Sequence, residues 1–340
     1  MSIKVDTRKY FDIDRTTLVK EELNITVEDH AYLPHIDDIE NDWLAFIAVP
    51  AFKLARKKHD GRSFSSFASI GTGPGLDVLA GAEILGAHKL GFTDLQESVV
   101  NTAAANVRNN LNGKTSENRD NRDNRDSTAD GSFNLVCGAG DLFDPFRGKD
   151  VNCENQRFDV IYENLPNVPL SQDKVVTDSR NSGHYLEERQ EPIPKEVHAN
   201  MLDLHFLALN QVSSFLTKNG FILSLMGGRV SLDSFVRLGE LAGVRSEIFT
   251  YGWKVQAEPE DVIGGYAEQE AQGYGPFTFY RSKDLEKAFE GVDTELSGAR
   301  AFEIENKLAD KKLTAAEAFE IWKKGGIIGH TVVVLKSYAK

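Results

Sequence analysis

The sequence predicts an α/β fold with a mainly parallel central sheet, and two observations lead to this prediction. From about residue 65 onward, short apolar runs alternate with segments whose apolar residues recur at helical spacing, the pattern of repeated strand–helix units. The first of these runs, residues 67–70, passes into a turn with glycine at alternate positions: Gly71, Gly73 and Gly75. A helix-like run follows at once, so this turn offers free backbone N–H groups to a ligand.

Composition and charge limit the classes of protein to which the chain can belong. Its 340 residues suffice for one large domain or two ordinary ones, and 41% of them are hydrophobic, enough for a sizeable core. No run of about 18 apolar residues is present, and the N-terminus lacks the apolar core of a signal peptide. The formal charge of −13 argues against a nucleic-acid partner. Cys137 and Cys153 form no metal-binding pattern, so we expect a cytoplasmic protein without a metal site.

The residues around the glycine turn distinguish two kinds of nucleotide site. A dinucleotide site would continue as G-x-G-x-x-G, but Leu76 occupies the position of the third glycine and leaves less room for a pyrophosphate. The second strand, Lys89–Asp94, ends in an acid that can accept hydrogen bonds from both ribose hydroxyls, and a helix is predicted over 97–109. A third strand, 133–137, is followed by Asp141, which could simply form a turn.

This order of glycine loop, acid and helix resembles the S-adenosylmethionine (SAM) site of class I methyltransferases. The resemblance implies a Rossmann-like sheet with SAM as the cofactor, and it implies that Asp141 receives the adenine amino group. The cofactor-binding residues predicted on this basis are Gly71, Thr72, Gly73, Gly75, Asp94, Leu95, Asp141, Leu142 and Asn164. The alternative left open is a glycine turn in an α/β protein that binds no cofactor.

The residues after the fourth predicted strand, Phe158–Glu163, bear on the substrate. In relatives that methylate amino groups this position reads N-P-P-[YF], and its aromatic ring stacks on a flat substrate. Here Leu165 replaces the first proline and Asn167 replaces the aromatic residue. The missing ring argues against a DNA adenine or a release-factor glutamine as substrate. It leaves carbonyl oxygens, those of Asn164 and Leu165, facing the methyl group, an arrangement suited to a small, flexible nucleophile.

The second half of the chain resembles a narrower family, the methionine S-methyltransferases, over roughly residues 65–337. The bacterial form of that family corresponds to the methyltransferase part of the plant enzyme, which carries a further aminotransferase-like extension. The resemblance implies transfer of a methyl group from SAM to the sulfur of L-methionine, giving S-methylmethionine for dimethylsulfoniopropionate synthesis. The motifs that carry it are Met226-Gly-Gly-Arg229, Trp253-Lys-Val-Gln-Ala-Glu-Pro-Glu-Asp261, Phe277-Thr-Phe-Tyr280 and Lys324-Gly-Gly-Ile-Ile-Gly-His330.

Such a substrate needs no general base, because a thioether sulfur has a free lone pair and no proton to lose. Arg229 is the predicted partner of the methionine carboxylate, although a helix-cap or surface role is the alternative. Glu163 or Asn167 could receive the amino group. The predicted catalytic residues are Asn164, Tyr185 and Arg229, and the predicted substrate-binding residues are Tyr32, Glu163, Leu165, Asn167, Tyr185 and Arg229. Tyr32 could instead be a plain core residue, and His330 is predicted to be a structural hydrogen-bonding group.

Two other activities remain open at this point. The first is an N- or O-methyltransferase that acts on another small amino acid or amine. The second is a SAM-binding module without catalytic activity. Neither is excluded by the motifs quoted above.

The predicted organisation is a helical N-terminal cap over 1–62 and a methyltransferase domain over 63–340. Within the domain we predict a mobile loop over 113–132, a long helix over 197–217, a helical insertion over 281–325 and a final antiparallel strand over 330–337. The insertion is a candidate dimer surface, so a homodimer is left open.

Overall fold

A computed structural model describes residues 1–29, 31–117, 132–148, 154–167 and 190–340. The chain forms two units. The first comprises Met1–Asn164, Gln211–Leu223 and Ala339, and the second comprises Leu165–Asn210, Ser224–Tyr338 and Lys340. The predicted division into a cap over 1–62 and a domain over 63–340 stays a prediction.

Strands occur throughout the described ranges. They are β1 (Ser2–Asp6), β2 (Glu22–Thr26), β3 (Ser66–Ile70), β4 (Lys89–Asp94), β5 (Thr115–Glu117), β6 (Phe133–Ala139), β7 (Phe158–Glu163), β8 (Leu216–Gly228), β9 (Val244–Val255), β10 (Tyr280–Arg281) and β11 (Ile328–Ala339).

Helices separate most of these strands. They are α1 (Thr7–Phe11), α2 (Val49–Lys58), α3 (Leu76–Leu85), α4 (Glu97–Asn110), α5 (Lys195–Ala199), α6 (Asp203–Val212), α7 (Leu232–Leu241), α8 (Pro259–Ala271), α9 (Ser282–Phe289), α10 (Thr294–Ser297), α11 (Ala301–Lys307) and α12 (Ala315–Lys323). A π-helical segment, Leu44–Ala48, leads directly into α2. No helix in the described ranges has the length and apolarity needed to cross a membrane.

The first unit is built on a doubly wound sheet with β3 near its middle. Its strand order is β5–β6–β4–β3–β7–β8, to which β8 contributes its residues up to Leu223. The pairs β3–β4, β3–β7, β4–β6 and β5–β6 are parallel. Every residue of β3 is buried, as expected for a central parallel strand covered on both faces. After β3 the chain forms β4 on one side of it and later forms β7 on its other side, which creates a topological switch point beside β3.

The second unit contains the remaining part of β8 together with β9, β10 and β11. Strand β11 lies between β8 and β10 in the strand order and also pairs with β9. It is antiparallel to β10, where Tyr280 is opposite Gly329. The hydroxyls of Ser246 and Ser337 are 2.7 Å apart, whereas Gln256 N–H donates to the Ile328 carbonyl at 2.9 Å, so β9 and β11 also run in opposite directions. The helices α9 to α12 lie within residues 281–325, where the insertion is predicted.

One predicted helix is wrong in its extent. Residues 197–217 form α5 and α6 instead of a single helix, because Met201 between them adopts a left-handed φ of 57°. Residues 218–220, which resemble a helix end, lie inside β8. A Cβ at Gly220 would come within 2.7 Å of the Phe158 carbonyl oxygen, so this glycine permits a close strand approach.

The stretch before residue 62 contains two strands that the sequence analysis did not predict. Strands β1 and β2 form an antiparallel pair in which Ser2 is opposite Thr26. The segment is therefore partly helical and partly extended. Of the predicted loop over 113–132, Thr115–Glu117 forms β5, and 118–131 lie outside the described residues.

Candidate functional site

The register of the first unit brings three predicted site positions to one edge of the sheet. Ile70, the last residue of β3, is opposite Thr93 of β4 on one side and Glu163 of β7 on the other. The next residues along the chain, Gly71, Asp94 and Asn164, therefore lie at the ends of neighbouring parallel strands, which are about 4.8 Å apart. In doubly wound sheets, ligands bind at this edge beside the switch point.

The glycine loop after β3 has a backbone conformation that would be strained in residues other than glycine. Gly71, Gly73 and Gly75 have φ angles of 72°, 55° and 86°. A Cβ at Gly75 would lie 3.1 Å from a methyl group of Val107 and 3.3 Å from the Ala103 carbonyl oxygen, so α4 packs closely against this glycine. Gly75 is the N-cap of α3, and no side chain caps that helix end. The N–H groups of Gly71 and Thr72 donate to the Thr93 carbonyl at 2.9 and 3.0 Å, and Gly75 N–H donates to the Thr72 carbonyl at 3.2 Å, so these groups hold the loop in its conformation.

A buried carboxylate holds the glycine loop from within the unit. Asp77, in the first turn of α3, accepts a hydrogen bond from Ser69 Oγ and another from Thr72 Oγ1 at 2.5 Å. Burial raises the pKa of Asp77 from 3.8 to about 6, against the lowering effect of these hydrogen bonds. The Thr72 hydroxyl therefore donates its proton to Asp77, and its oxygen can act towards a cofactor only as an acceptor.

The acid predicted to bind the ribose lies beside this loop. Asp94 Oδ2 accepts a hydrogen bond from Gly73 N–H at 3.0 Å, and burial raises the pKa of Asp94 above its usual value. The next side chain, Leu95, is 73% exposed. Asp94 also joins the loop after β6, since its carbonyl oxygen accepts from Gly140 N–H at 3.0 Å.

The loop after β6 carries the predicted adenine-binding residues. Leu142 adopts a left-handed φ of 47°, and its carbonyl oxygen accepts from the Thr93 hydroxyl at 2.8 Å. This bond fixes the backbone of residues 141–142 next to the end of β4. The structure therefore brings Asp141 and Leu142 to the sheet edge that holds Asp94.

Tyr32, predicted to line the pocket, lies against the glycine loop. A Cβ at Gly73 would be 3.9 Å from the Tyr32 backbone nitrogen and 4.0 Å from its Cβ. Glu163 is fully buried at the end of β7, next to Tyr162. Burial raises the pKa of Tyr162 well above its usual value, and the neighbouring carboxyl groups of Asp77 and Glu163 raise it further.

In the second unit, Arg229 forms a buried cluster and not a surface contact. Its side chain is 2% exposed, with its guanidinium carbon 5.1 Å from the Tyr266 ring centre and 6.0 Å from that of Phe279. Arg229 Nη2 donates to Gln256 Oε1 at 2.8 Å and lies 3.1 Å from His330 Nε2. Nη1 has no hydrogen-bond acceptor among the residues that the structure describes.

The histidine of this cluster has the structural role predicted for it. Burial, together with the nearby Arg229 charge, lowers the pKa of His330 well below its usual value. The neutral ring accepts from Arg229 at Nε2, so its proton is on Nδ1, which donates to the Thr331 carbonyl at 2.7 Å. Burial also lowers the pKa of Arg229, which has no carboxylate within the described cluster.

Tyr266 links two predicted substrate-binding residues of the second unit and was missed by the sequence analysis. Its hydroxyl donates to the Asn167 carbonyl at 2.7 Å, while its ring contacts Arg229. No local pattern marks this tyrosine, because it is one of several aromatic residues in an ordinary helix. Asp77 does carry a signal, being an acid in the first turn of a mostly apolar helix. Tyr185 lies outside the described residues.

The strand order and parallel pairing are those of the Rossmann-like sheet of class I methyltransferases, which confirms the predicted fold class. No protein-family model and no curated protein matches the sequence.

Solved structures give distant matches to the chain. The ribosomal protein L11 methylase from Lactobacillus delbrueckii subsp. bulgaricus is 14% identical with a TM-score of 0.33, and the match covers 62% of this chain and 70% of that one. The YcgJ protein from Bacillus subtilis is 10% identical with a TM-score of 0.38, covering 85% and 98%. A TehB-like SAM-dependent methyltransferase from Corynebacterium glutamicum is 14% identical with a TM-score of 0.30, covering 59% and 76%. These similarities are too distant to carry a functional argument.

Proposed function

We propose that the protein is a SAM-dependent methyltransferase that transfers a methyl group to the sulfur of L-methionine. The observation that carries the cofactor assignment is the charge around the glycine loop. Asp77 bonds to Thr72 of the loop, Asp94 bonds to Gly73, and Glu163 is opposite the residue before the loop. Three carboxylates at this position favour a cationic sulfonium ligand and disfavour the pyrophosphate of a dinucleotide.

The other residues of the first unit fit the parts of SAM. The loop backbone at Gly71, Gly73 and Gly75 can pass close to its amino-acid tail because no side chain intervenes, and Asp94 can accept from its ribose hydroxyls. Exposed Leu95 offers an apolar surface to the adenine ring. We assign the adenine amino group to Asp141 and a further adenine contact to the backbone of Leu142. When bound, SAM supplies an electrophilic methyl group on a cationic sulfur.

The residues of the chain orient the acceptor and perform no proton transfer in this proposal. Asn164 and Leu165 direct carbonyl oxygens at the methyl group, and Glu163 or Asn167 receives the substrate amino group. The predicted role of Tyr185, a ring beside the sulfonium charge, stays part of the proposal. A sulfur nucleophile needs only to be held in line at about 3 Å from the methyl carbon.

Arg229 is the proposed partner of the substrate carboxylate. The support is its burial together with the unpaired Nη1, because a buried guanidinium normally has an anion or several acceptors around it. The guanidinium lies against the rings of Tyr266 and Phe279, and Gln256 fixes one edge of it. A free N–H group on a fixed plane suits a carboxylate.

The function is tested by incubating the protein with methyl-labelled SAM and a panel of amino acids and amines, followed by mass analysis of the products. Label on methionine sulfur is the expected result. Label on an amine or hydroxyl identifies the N- or O-methyltransferase alternative, and that activity would rise with pH as the nucleophile loses its proton. SAM binding without any labelled product identifies a non-catalytic module.

The role of Arg229 is tested by Arg229→Gln with two acceptors, L-methionine and 3-(methylsulfanyl)propylamine, which lacks the carboxylate. We expect kcat/KM for methionine to fall about 10- to 100-fold, the value of a charged hydrogen bond, with little change for the amine. Arg237→Gln, an exposed arginine of α7, is the matched control and should change neither value. An equal loss for both acceptors would show that Arg229 is structural.

A further inference from the structure

The N-terminal segment, residues 1–62, is hydrogen-bonded to α3 and α4, the helices next to the glycine loop. Glu83 of α3 accepts hydrogen bonds from the N–H groups of Thr17, Leu18 and Val19 at 2.6–2.9 Å. Asn106 of α4 joins the N-terminal segment to the loop itself, donating to the Thr26 carbonyl at 2.7 Å and to the Pro74 carbonyl at 2.9 Å. The segment therefore has a fixed position relative to the loop.

A single buried carboxylate organises the part of this segment nearest the loop. Asp42 is fully buried and accepts four hydrogen bonds. Its Oδ1 accepts from the Tyr10 hydroxyl and from Ala45 N–H, both at 2.8 Å, and its Oδ2 accepts from the Tyr32 hydroxyl at 3.0 Å and from His35 N–H at 2.9 Å. Both oxygens are thus satisfied, as a buried carboxylate requires.

Tyr32 connects this carboxylate to the glycine loop. Its backbone lies about 4 Å from the Cβ position of Gly73, and the far end of its side chain is held by Asp42. The ring of Tyr32 therefore spans the distance between the loop and Asp42. Tyr10 also bonds to Asp42 but is buried in the core with Phe11, 5.7 Å between ring centres.

We propose that Asp42 is a positioning residue for the cofactor site. Its hydrogen bond holds the Tyr32 ring in a position where the ring borders the site above the glycine loop. The inference rests on the proposed SAM function and extends it to a part of the chain that the glycine motif does not include. An aromatic ring suits a sulfonium ligand, because its π face attracts a cation. The charge of Asp42 has the same sign as those of Asp77 and Glu163, and each of the three carboxyl groups raises the pKa of Tyr162.

The two tyrosines provide a matched pair of variants. Tyr32→Phe and Tyr10→Phe each remove one hydroxyl that donates to Asp42, but only Tyr32 also contacts the loop. Calorimetric titration with SAM should show about a tenfold weaker Kd for Tyr32→Phe and a change below twofold for Tyr10→Phe. Asp42→Asn, which cannot accept both phenol hydrogen bonds in the same way, should behave like Tyr32→Phe.

A second measurement does not depend on the cofactor. Amide hydrogen exchange of the SAM-free protein should become faster at residues 71–75 in Asp42→Asn. Glu83→Gln is the control, since Glu83 fastens residues 17–19 and makes no contact with the loop; it should lower stability while residues 71–75 exchange as in the wild type.

The outcomes separate the two proposals. Equal Kd values for Tyr32→Phe and Tyr10→Phe, with unchanged exchange at the loop in Asp42→Asn, would overturn the role of Asp42 while leaving the SAM function intact. Absence of SAM binding to the wild-type protein would overturn the proposed function and this inference together. A weaker Kd in Tyr32→Phe with faster loop exchange in Asp42→Asn supports both.

Discussion

Asp77 shows how one residue couples the strand, the loop and the helix of the proposed cofactor site. It lies in the first turn of α3, is buried, and bonds to Ser69 at the end of β3 and to Thr72 in the loop. An ionised carboxylate in this position stabilises the loop through its hydrogen bonds, but burial removes the water that would otherwise hydrate its charge. The raised pKa of about 6 indicates that the loss of hydration is the larger effect.

We expect this pKa to produce a measurable dependence of stability on pH. The folded state retains the Asp77 proton to a higher pH than the unfolded state, whose ordinary value is 3.8. The free energy of unfolding should therefore fall as pH rises from about 4 to about 6, by roughly 3 kcal/mol from this group, and then level off. Urea unfolding of the wild type and of Asp77→Asn between pH 4 and 7 measures the difference, which should grow with pH over that window.

The exposed Asp60, whose side chain is 84% accessible, provides the control for this experiment. Asp60→Asn should follow the wild-type curve at every pH. If Asp77→Asn also follows the wild-type curve, the Asp77 carboxyl titrates normally in the folded protein.

At the scale of the element, helix α4 protects the edge of strand β2. Asn106 and Asn110 lie one turn apart on one face of the helix. The side-chain amide of each accepts one hydrogen bond from, and donates one to, the backbone of a β2 residue. Asn110 Oδ1 accepts from Asn24 N–H and its Nδ2 donates to the Asn24 carbonyl, both at 2.9 Å; Asn106 does the same with Thr26. The two amides thus replace a neighbouring strand at an edge that would otherwise expose backbone groups.

Asn110→Ala should destabilise the protein by about 2 kcal/mol, because it leaves two backbone groups of Asn24 without a protein partner. Asn109→Ala, the exposed neighbour on the same helix, should change the free energy of unfolding by less than about 0.5 kcal/mol. Denaturant unfolding of both variants compares them directly. Equal stabilities would mean that water replaces the amide at no cost.

The element scale also shows where sequence patterns mislead. Ser231, a residue type that favours helix N-caps, is the N-cap of α7, but its hydroxyl does not cap the helix; Glu305 accepts from Leu232 N–H instead, at 2.9 Å. Residues 218–220 resemble a helix end and lie within β8. In both cases a distant residue supplies the interaction that determines the local structure, and a local pattern cannot report it.

At the scale of the whole molecule, each unit has its own pattern of buried charge. Among the described residues, the buried charged side chains of the first unit are the acids Asp42, Asp77, Glu83 and Glu163. Those of the second unit are mainly bases: Arg229, Lys254 and Lys336, with Asp203 and the histidines His205 and His330. Of the acids in the first unit, Asp77 bonds to the glycine loop and Glu163 is opposite the residue before it, and a cationic cofactor is proposed there.

SAM should therefore stabilise the protein against heat, whereas NAD⁺, with its anionic pyrophosphate, should not. At a SAM concentration about 100 times its Kd the expected stabilisation is about 2.7 kcal/mol, a rise in Tm of several degrees. Asp94→Asn should reduce the rise, while Asp60→Asn should preserve it. A rise in Tm with NAD⁺ and none with SAM would contradict the charge argument.

The sequence by itself determined the α/β class, the glycine loop, and the acids at the ends of two strands. These features are local: apolar periodicity marks strands and helices, and glycine at alternate positions marks the turn that joins β3 to α3. The tertiary structure alone decided that Tyr32 lies against Gly73, that its hydroxyl bonds to Asp42, and that Arg229 is buried against two aromatic rings. Those contacts join residues far apart in the chain, and their energies come from packing and loss of hydration, which no local pattern records.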